Sequence, residues 1–108
     1  MLNHIAIMGR FTKDPELRKT PADVSVVSFT IACDRDGKDA GVDFIDVTAW
    51  RHNADFIAEN FKKGTPIIVE GRLQIRNWTD RDGNNRRNAE IVAENVYFAE
   101  RKALNPEV

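Results

Sequence analysis

Hydrophobic and polar side chains alternate along several stretches of the chain with the two-residue period of a half-buried β-strand. In the clearest stretch the apolar positions are Val27, Phe29, Ile31 and Cys33, and the intervening positions are Ser28, Thr30 and Ala32. Similar alternation predicts four further strands, over residues 3–11, 42–50, 67–78 and about 87–99. Asp82-Gly83 separates the last two and is a hairpin turn signal.

One segment between the third and fourth strands has a helical period instead. Asn53 is placed as its N-cap and Gly64 as its C-terminal stop, and Pro66 then prevents the helix from continuing. The segment's apolar positions recur at i, i+3, i+4 and i+7, which gives one stripe that faces a core. They are Ala54, Ile57, Ala58 and Phe61.

The order of three strands, a helix and two strands predicts an all-β domain with one helix. In 108 residues this order suits an OB-fold, a five-stranded Greek-key β-barrel closed at one end by the helix. We expect the domain to occupy residues 1–100 and residues 101–108 to form a short, disordered C-terminal extension. We expect Phe29, Phe56, Phe61 and Phe98 to lie in the core.

Composition excludes several classes of function. No window approaches the roughly 18 apolar residues of a membrane span, and Met1–His4 has no character of a secretion signal. A single cysteine, Cys33, forms no internal disulfide and suits a reducing cytoplasm. Two histidines and one cysteine do not supply the usual ligands of a zinc site. We therefore expect a cytoplasmic protein with no metal and no cofactor.

Alternation also assigns the two faces of each strand. In the third strand Ile45, Val47 and Ala49 face the core, so Phe44 and Trp50 face outward. In the fourth strand the inward side chains are Ile67, Val69, Leu73 and Ile75, and the outward ones include Arg72, Arg76 and Trp78. Taking these two strands as neighbours, we predict one outer surface that carries three aromatic side chains among arginines.

Such a surface is suited to unpaired bases. Exposed aromatic rings gain free energy when a flat apolar partner covers them, and stacking contributes about 1–3 kcal/mol per base. The net charge of −1 does not by itself indicate nucleic-acid binding. The charges are segregated, however, because residues 23–59 hold eight acidic and three basic side chains whereas arginines cluster near the hairpin. The clustered arginines are Arg72, Arg76, Arg81, Arg86 and Arg87.

Several segments, in their order and spacing, resemble bacterial single-stranded DNA-binding proteins. They are Gly9-Arg10, Asp14-Pro15-Glu16-Leu17-Arg18, Phe29-Thr30-Ile31-Ala32, Ala58-Glu59-Asn60-Phe61-Lys62-Lys63-Gly64, Val69-Glu70-Gly71-Arg72-Leu73 and Arg76-Asn77-Trp78-Thr79-Asp80. The resemblance extends from about Leu2 to Glu100. It implies an OB-fold, no catalysis, and a homotetramer in most members.

The resemblance also implies a mechanism and a site. Phe44, Trp50 and Trp78 match the family's stacking positions. Lysines and arginines would follow the phosphates, and the residues expected to do so are Arg72, Arg76, Arg86 and Arg87, with Arg35 and Lys38 in a loop where some relatives have a tryptophan. The implied function is sequence-independent binding and protection of single-stranded DNA during replication, recombination and repair, in association with the nucleoid.

The first strand matches the segment through which subunits pair in the family. Its expected interface residues are His4, Ile5, Ala6, Ile7 and Met8. Relatives usually continue into a flexible tail whose acidic end recruits other enzymes, whereas this sequence ends at Asn105-Pro106-Glu107-Val108. We therefore expect poor recruitment of other proteins.

Two alternatives stay open at this point. The residues do not distinguish DNA from RNA, because that choice depends on contacts with the 2′-hydroxyl. The exposed aromatics could instead form an interface with another protein. Catalysis is not expected, because the acidic loop around Asp34, Asp36 and Asp39 lacks the glycine and glutamate spacing of a calcium loop.

Overall fold

A computed structural model describes residues 1–99 and contains six strands and one helix in that range. The elements are β1 (Ile5–Phe11), β2 (Leu17–Lys19), β3 (Ser25–Asp34), β4 (Val42–Trp50), α1 (Arg51–Asn60), β5 (Pro66–Thr79) and β6 (Asn85–Phe98). The predicted extension at residues 101–108 lies outside the described residues. Within residues 1–99, no helix is long and apolar enough to cross a membrane.

The strands form one sheet that closes on itself. Their order is β1-β5-β6-β4-β3-β2, and β1 also pairs with β3 at Arg10↔Ala32 and Phe11↔Ile31. All the pairings are antiparallel except that between β4 and β6. This closed arrangement confirms the predicted OB-fold. The extra strand β2 has three exposed residues, so it carries no alternation by which the sequence could reveal it.

The hydrophobic core lies inside the closed sheet, and α1 packs against it. The alternation of β3 is confirmed, because all four of its predicted inward side chains are buried. From α1, Ala54 and Ile57 are fully buried, and the Phe61 ring stacks on Phe11 with centroids 5.4 Å apart. The largest fully buried side chains are Ile31, Ile57, Ile67, Ile91, Val27, Val47 and Val69.

The predicted helix ends were wrong. The helix begins at Arg51 with Trp50 as its N-cap, directly after β4, and it ends at Asn60. Asn53 lies within the first turn, where its Nδ2 donates to the carbonyl of Glu94 on β6 at 3.1 Å instead of capping the helix. Gly64 lies in the next turn with φ +85°, and its N–H donates to the carbonyl of Phe11.

A second finding concerns Leu73 and Ile75, which were predicted to face inward. They lie on the core-facing side of β5 but are 44% and 46% exposed, because β1 pairs with β5 only as far as Gly71 and, beyond Glu90, β5 and β6 continue as a two-stranded ribbon. We refer to residues 75–79 and 85–89, which lie beyond the last residue of β6 that pairs with β4, as the ribbon. It begins beyond a bulge, where the pairing shifts between Glu70 and Gly71.

The four phenylalanines expected in the core do not share one environment. Phe29 and Phe61 are buried, and Phe56 is partly buried against the core. Phe98 is 54% exposed, so its prediction as a core residue was wrong. Its ring lies at the rim, with its centroid 5.1 Å from that of Phe61 and 5.5 Å from that of Phe56.

Candidate nucleic-acid interface

The outer surface predicted from β4 and β5 exists, but these strands are not neighbours as expected. Strand β6 lies between them, and Glu90 is aligned with both Asp46 of β4 and Gln74 of β5. Aligned residues on neighbouring strands share a face, so the outward side chains of β4 and β5 lie on one surface through β6. We call this surface the aromatic face. Its members are Phe44, Asp46, Thr48, Trp50, Arg72, Gln74, Arg76, Trp78, Arg86, Asn88, Glu90 and Val92.

The three predicted stacking side chains are all exposed on the aromatic face. Phe44 is 68% exposed, Trp50 43% and Trp78 44%. Trp78 lies on the ribbon, whereas Phe44 and Trp50 lie near opposite ends of β4. The three rings are therefore spread across the face and do not pack into one cluster.

A hydrogen bond at the edge of the Trp78 indole holds the ring in place. The Asn88 amide, in the orientation that satisfies both of its polar atoms, accepts a hydrogen bond from Trp78 Nε1 at 3.2 Å. The same amide donates to the carbonyl of Arg87 at 3.0 Å. Because the indole N–H already has a partner, the flat face of the ring is left for stacking.

Trp50 is positioned by a sharp change of backbone direction. It ends β4 in an extended conformation, and Arg51 then begins α1 with φ +57°. A left-handed conformation costs a residue other than glycine about 1–2 kcal/mol. This turn joins strand to helix without a linker and leaves the indole at the rim of the sheet.

Four of the six predicted phosphate-binding cations form ion pairs. Arg35 Nη2 lies 2.7 Å from Asp43 Oδ1, and Arg86 Nε lies 2.8 Å from Asp80 Oδ2. The other two pairs are longer, with Arg76 Nη2 3.5 Å from Glu90 Oε2 and Arg72 Nε 4.0 Å from Glu94 Oε2. In the described part of the chain, Arg87 and Lys38 have no acidic partner within 4.0 Å.

Three of these cations are not brought onto the aromatic face. Arg87 is aligned with Asn77, one residue out of phase with Trp78, so it points to the opposite side of the ribbon. Arg35 binds Asp43, which precedes Phe44 on β4 and therefore points to the opposite side of that strand. The hydrogen bond from the Arg35 guanidinium lowers the pKa of the Asp43 carboxyl. Lys38 lies in the loop between β3 and β4.

A row of polar side chains across the aromatic face was missed by the sequence reasoning. Thr48 lies at an outward position of β4, yet it is only 5% exposed and its Oγ1 donates to Glu90 Oε1 at 3.1 Å. Beside it, Thr30 Oγ1 donates to Asp46 Oδ1 at 2.8 Å. The sequence signal that could have revealed this row was a threonine on β4 and a glutamate on β6, both at outward strand positions. An open groove of about 330 Å³ lies along this row and is also lined by Thr12, Lys13, Asp14 and Glu16.

The predicted subunit-pairing strand has two different sides. Ile5 and Ile7 pack partly against the core, whereas Ala6 and Met8 point outward and Met8 is 60% exposed. His4 is exposed just before the strand. Strand β1 pairs with β5 from Ile5 to Arg10 but with β3 only at Arg10 and Phe11, so most of one edge has no neighbouring strand within residues 1–99.

Potential ligands for a metal ion are scattered in the described residues, where no three His, Cys, Asp or Glu side chains form a group that could hold one. Cys33 is buried in the core. Its pKa is raised by that burial first and by Asp43 and Asp34 second, so the residue stays a thiol.

Comparison with known proteins gives a consistent result. Residues 2–99 match the model of the "Single-strand binding protein family". The chain is 43% identical over 111 residues to "Single-stranded DNA-binding protein 2" of Listeria monocytogenes, covering 99% of this chain and 69% of the relative. It is 42% identical over 106 residues to "Single-stranded DNA-binding protein A" of Bacillus subtilis, covering 94% and 62%, respectively. A protein of Caldanaerobacter subterraneus named "Single-stranded DNA-binding protein" is 40% identical over 107 residues, with 95% and 71% covered.

Proposed function

Because the chain belongs to the single-strand binding protein family, we propose that it binds single-stranded DNA without regard to sequence and catalyses no reaction. The observation that carries the proposal is the placement of Phe44, Trp50 and Trp78 on one surface, each more than two-fifths exposed. A stacking platform is sequence-tolerant because every base has a π-face.

The geometry supports stacking as the main source of affinity. Trp78 is already oriented by Asn88, so little conformational freedom is lost when a base covers the ring. Arg72 and Arg86 lie on the same face, where they can meet the phosphates between stacked bases, and Arg76 lies beside them paired with Glu90. Both features favour an extended single strand over a duplex, whose bases are already stacked and paired.

The test is a titration with oligo-dT that follows tryptophan emission. We expect wild-type protein to show strong quenching with oligo-dT and little with duplex DNA. Trp78→Ala should weaken binding about 5- to 150-fold, the equivalent of one lost stacking contact. Ile75→Ala is the matched control, because Ile75 is equally exposed on the opposite side of the same ribbon and should leave the affinity unchanged.

Two outcomes would count against the proposal. Unchanged emission with both nucleic acids would remove the assigned function. A Trp78→Ala protein that loses its assembly but keeps its affinity for oligo-dT would show that the aromatic face meets another protein. The same titration with oligo-rU decides between DNA and RNA.

We further propose that the protein works as a homotetramer in the cytoplasm, on DNA unwound during replication, recombination and repair. The open edge of β1 supports subunit pairing through residues 4–8, because an unpaired strand edge is a template for another strand. The chain spans 62–71% of the lengths of the three relatives. These wider roles are those that the family resemblance implies, and we propose them for this chain.

A further inference from the structure

We propose that Glu90 acts as an internal counterion, which restrains Arg76 and thereby limits both the affinity of the aromatic face for single-stranded DNA and the salt dependence of binding. The inference rests on the proposed function. It concerns a carboxylate in the middle of a surface whose expected ligand is a polyanion.

The two partners differ in their freedom to move. The Glu90 side chain is only 11% exposed, and its Oε1 accepts a hydrogen bond from Thr48 Oγ1 at 3.1 Å. The Arg76 side chain is 61% exposed, and its Nη2 lies 3.5 Å from Glu90 Oε2. The carboxylate is therefore fixed in the sheet, whereas the guanidinium is able to swing away from it.

The charges around Glu90 make Arg76 more important for balancing the charge of its carboxylate. Glu90 is aligned directly with Asp46 on β4, and like charges at such positions repel. Asp46 is held by Thr30, which is uncharged. Among residues 1–99, Arg76 is the one cationic side chain within 4.0 Å of Glu90.

A phosphate that captured Arg76 would leave Glu90 almost buried, charged and with Thr48 as its remaining partner. An unpaired buried charge is strongly unfavourable. The free energy gained by the contact between Arg76 and a phosphate is therefore largely cancelled by the cost of leaving Glu90 unpaired. Arg76 consequently stays with Glu90, and the face makes one phosphate contact fewer than its arginines suggest.

Glu94 supplies a matched control on the same strand. Its carboxylate is paired with an arginine of β5, as Glu90 is, but the side chain is 55% exposed and the distance to Arg72 is 4.0 Å. Water screens such a pair, and its strength is small. Glu94→Gln makes the same change of charge without releasing a restrained cation.

The experiment measures the affinity for oligo-dT across a range of salt concentrations. Glu90→Gln keeps the side-chain shape and an acceptor for Thr48, and it should bind about fivefold more tightly. Because Arg76 is then free to meet a phosphate, the slope of log K against log salt should steepen by about 0.7. Glu94→Gln should change affinity less than twofold, and adding Glu90→Gln to Arg76→Gln should leave the slope unchanged.

A folded Glu90→Gln protein with wild-type or weaker affinity, or with an unchanged slope, would overturn the proposal. If Glu90→Gln does not fold, the salt dependence of Arg76→Gln tests the proposal by itself. The proposal expects this variant to have the wild-type slope. A slope shallower by about 0.7 would show that Arg76 already contacts phosphate and would overturn the proposal. Wild-type protein that fails to bind oligo-dT would instead defeat the proposed function.

Discussion

At the scale of the residue, Gly71 shows how closely the strands approach where the ribbon leaves the barrel. The residue is buried beside the bulge, and a Cβ there would overlap the carbonyl oxygen of Val92 on β6. That obstacle is backbone within a hydrogen-bonded strand pair, so it cannot be relieved by a change of rotamer. The position therefore requires glycine for space.

We expect Gly71→Ala to lower the free energy of unfolding by about 3 kcal/mol, at the upper end of the range for overpacking, or to prevent folding. Urea denaturation followed by circular dichroism measures the loss. Gly83→Ala is the control, since its Cβ would meet nothing within 4 Å and its φ of +83° costs only about 1–2 kcal/mol. Equal losses in the two variants would contradict the steric account of Gly71.

Individual residues also show what alternation reveals and what it leaves out. It identifies Phe44, Trp50 and Trp78 as outward because parity along one strand is a local property. It does not identify the partners of the cations, such as Asp43 for Arg35, since these contacts depend on loops and on neighbouring strands. The buried bond between Thr48 and Glu90 joins residues 42 positions apart and was missed for the same reason.

At the scale of the element, the hairpin that carries Trp78 is closed by one carboxylate. Asp80 Oδ1 accepts from the N–H groups of Asp82 and Asn84, and Asp80 Oδ2 accepts from Arg86 Nε at 2.8 Å. The hydrogen bond from the Asn84 N–H is the main cause that lowers the pKa of Asp80, and that from Arg86 adds to it. The ionised carboxylate thus stabilises the turn.

This shift fixes the direction of a pH dependence. A carboxyl whose pKa is lower in the folded state stabilises the fold above its ordinary value of 3.8 and loses that contribution as the pH falls through the folded value. Amide exchange at Asn84 should therefore accelerate below pH 3.8, relative to amides of β3. Asp80→Asn should show faster exchange at neutral pH and no further acceleration attributable to this residue. Identical pH profiles of the two proteins would contradict the assignment.

Elements were predicted well where they face a single core and poorly where they leave it. In β3 the four predicted inward side chains are all buried because the strand is backed by the barrel, and Val26, at an out-of-phase position, is buried as well. The inward phase of β5 was also read correctly, but nothing in the sequence marks where the barrel ends and Leu73 and Ile75 become exposed. The position of β6 between β4 and β5 is a matter of topology, which the period of a strand does not specify.

At the scale of the whole molecule, the fold has two exposed surfaces with different chemistry. The aromatic face combines rings with paired charges, whereas the outer side of β1 and its neighbours is more apolar. On that side Met8 is aligned with Ile68, which is aligned in turn with Tyr97 of β6. Met8 and Tyr97 are 60% and 47% exposed, and Tyr97 Oη donates to Glu70 Oε1 at 3.0 Å.

These features lead to a prediction about assembly. If subunits associate through β1 and this apolar side, Met8→Glu places a charge in the interface, where burial without a partner is strongly unfavourable. We expect the mass measured by light scattering to fall from that of a tetramer towards smaller species, while circular dichroism stays that of the folded domain. Leu17→Glu is the control, because Leu17 is 41% exposed on β2, which pairs with β3 and not with β1, and it should leave the mass unchanged.

The same variant separates assembly from binding. Each Met8→Glu chain keeps Trp50 and Trp78 and should still show tryptophan quenching by oligo-dT at saturation. Its affinity for long oligo-dT should fall more than its affinity for short oligo-dT, because a long strand gains from linked sites and a short one does not. A Met8→Glu protein with wild-type mass would remove β1 from the interface, and a wild-type protein that is monomeric would contradict the homotetramer itself.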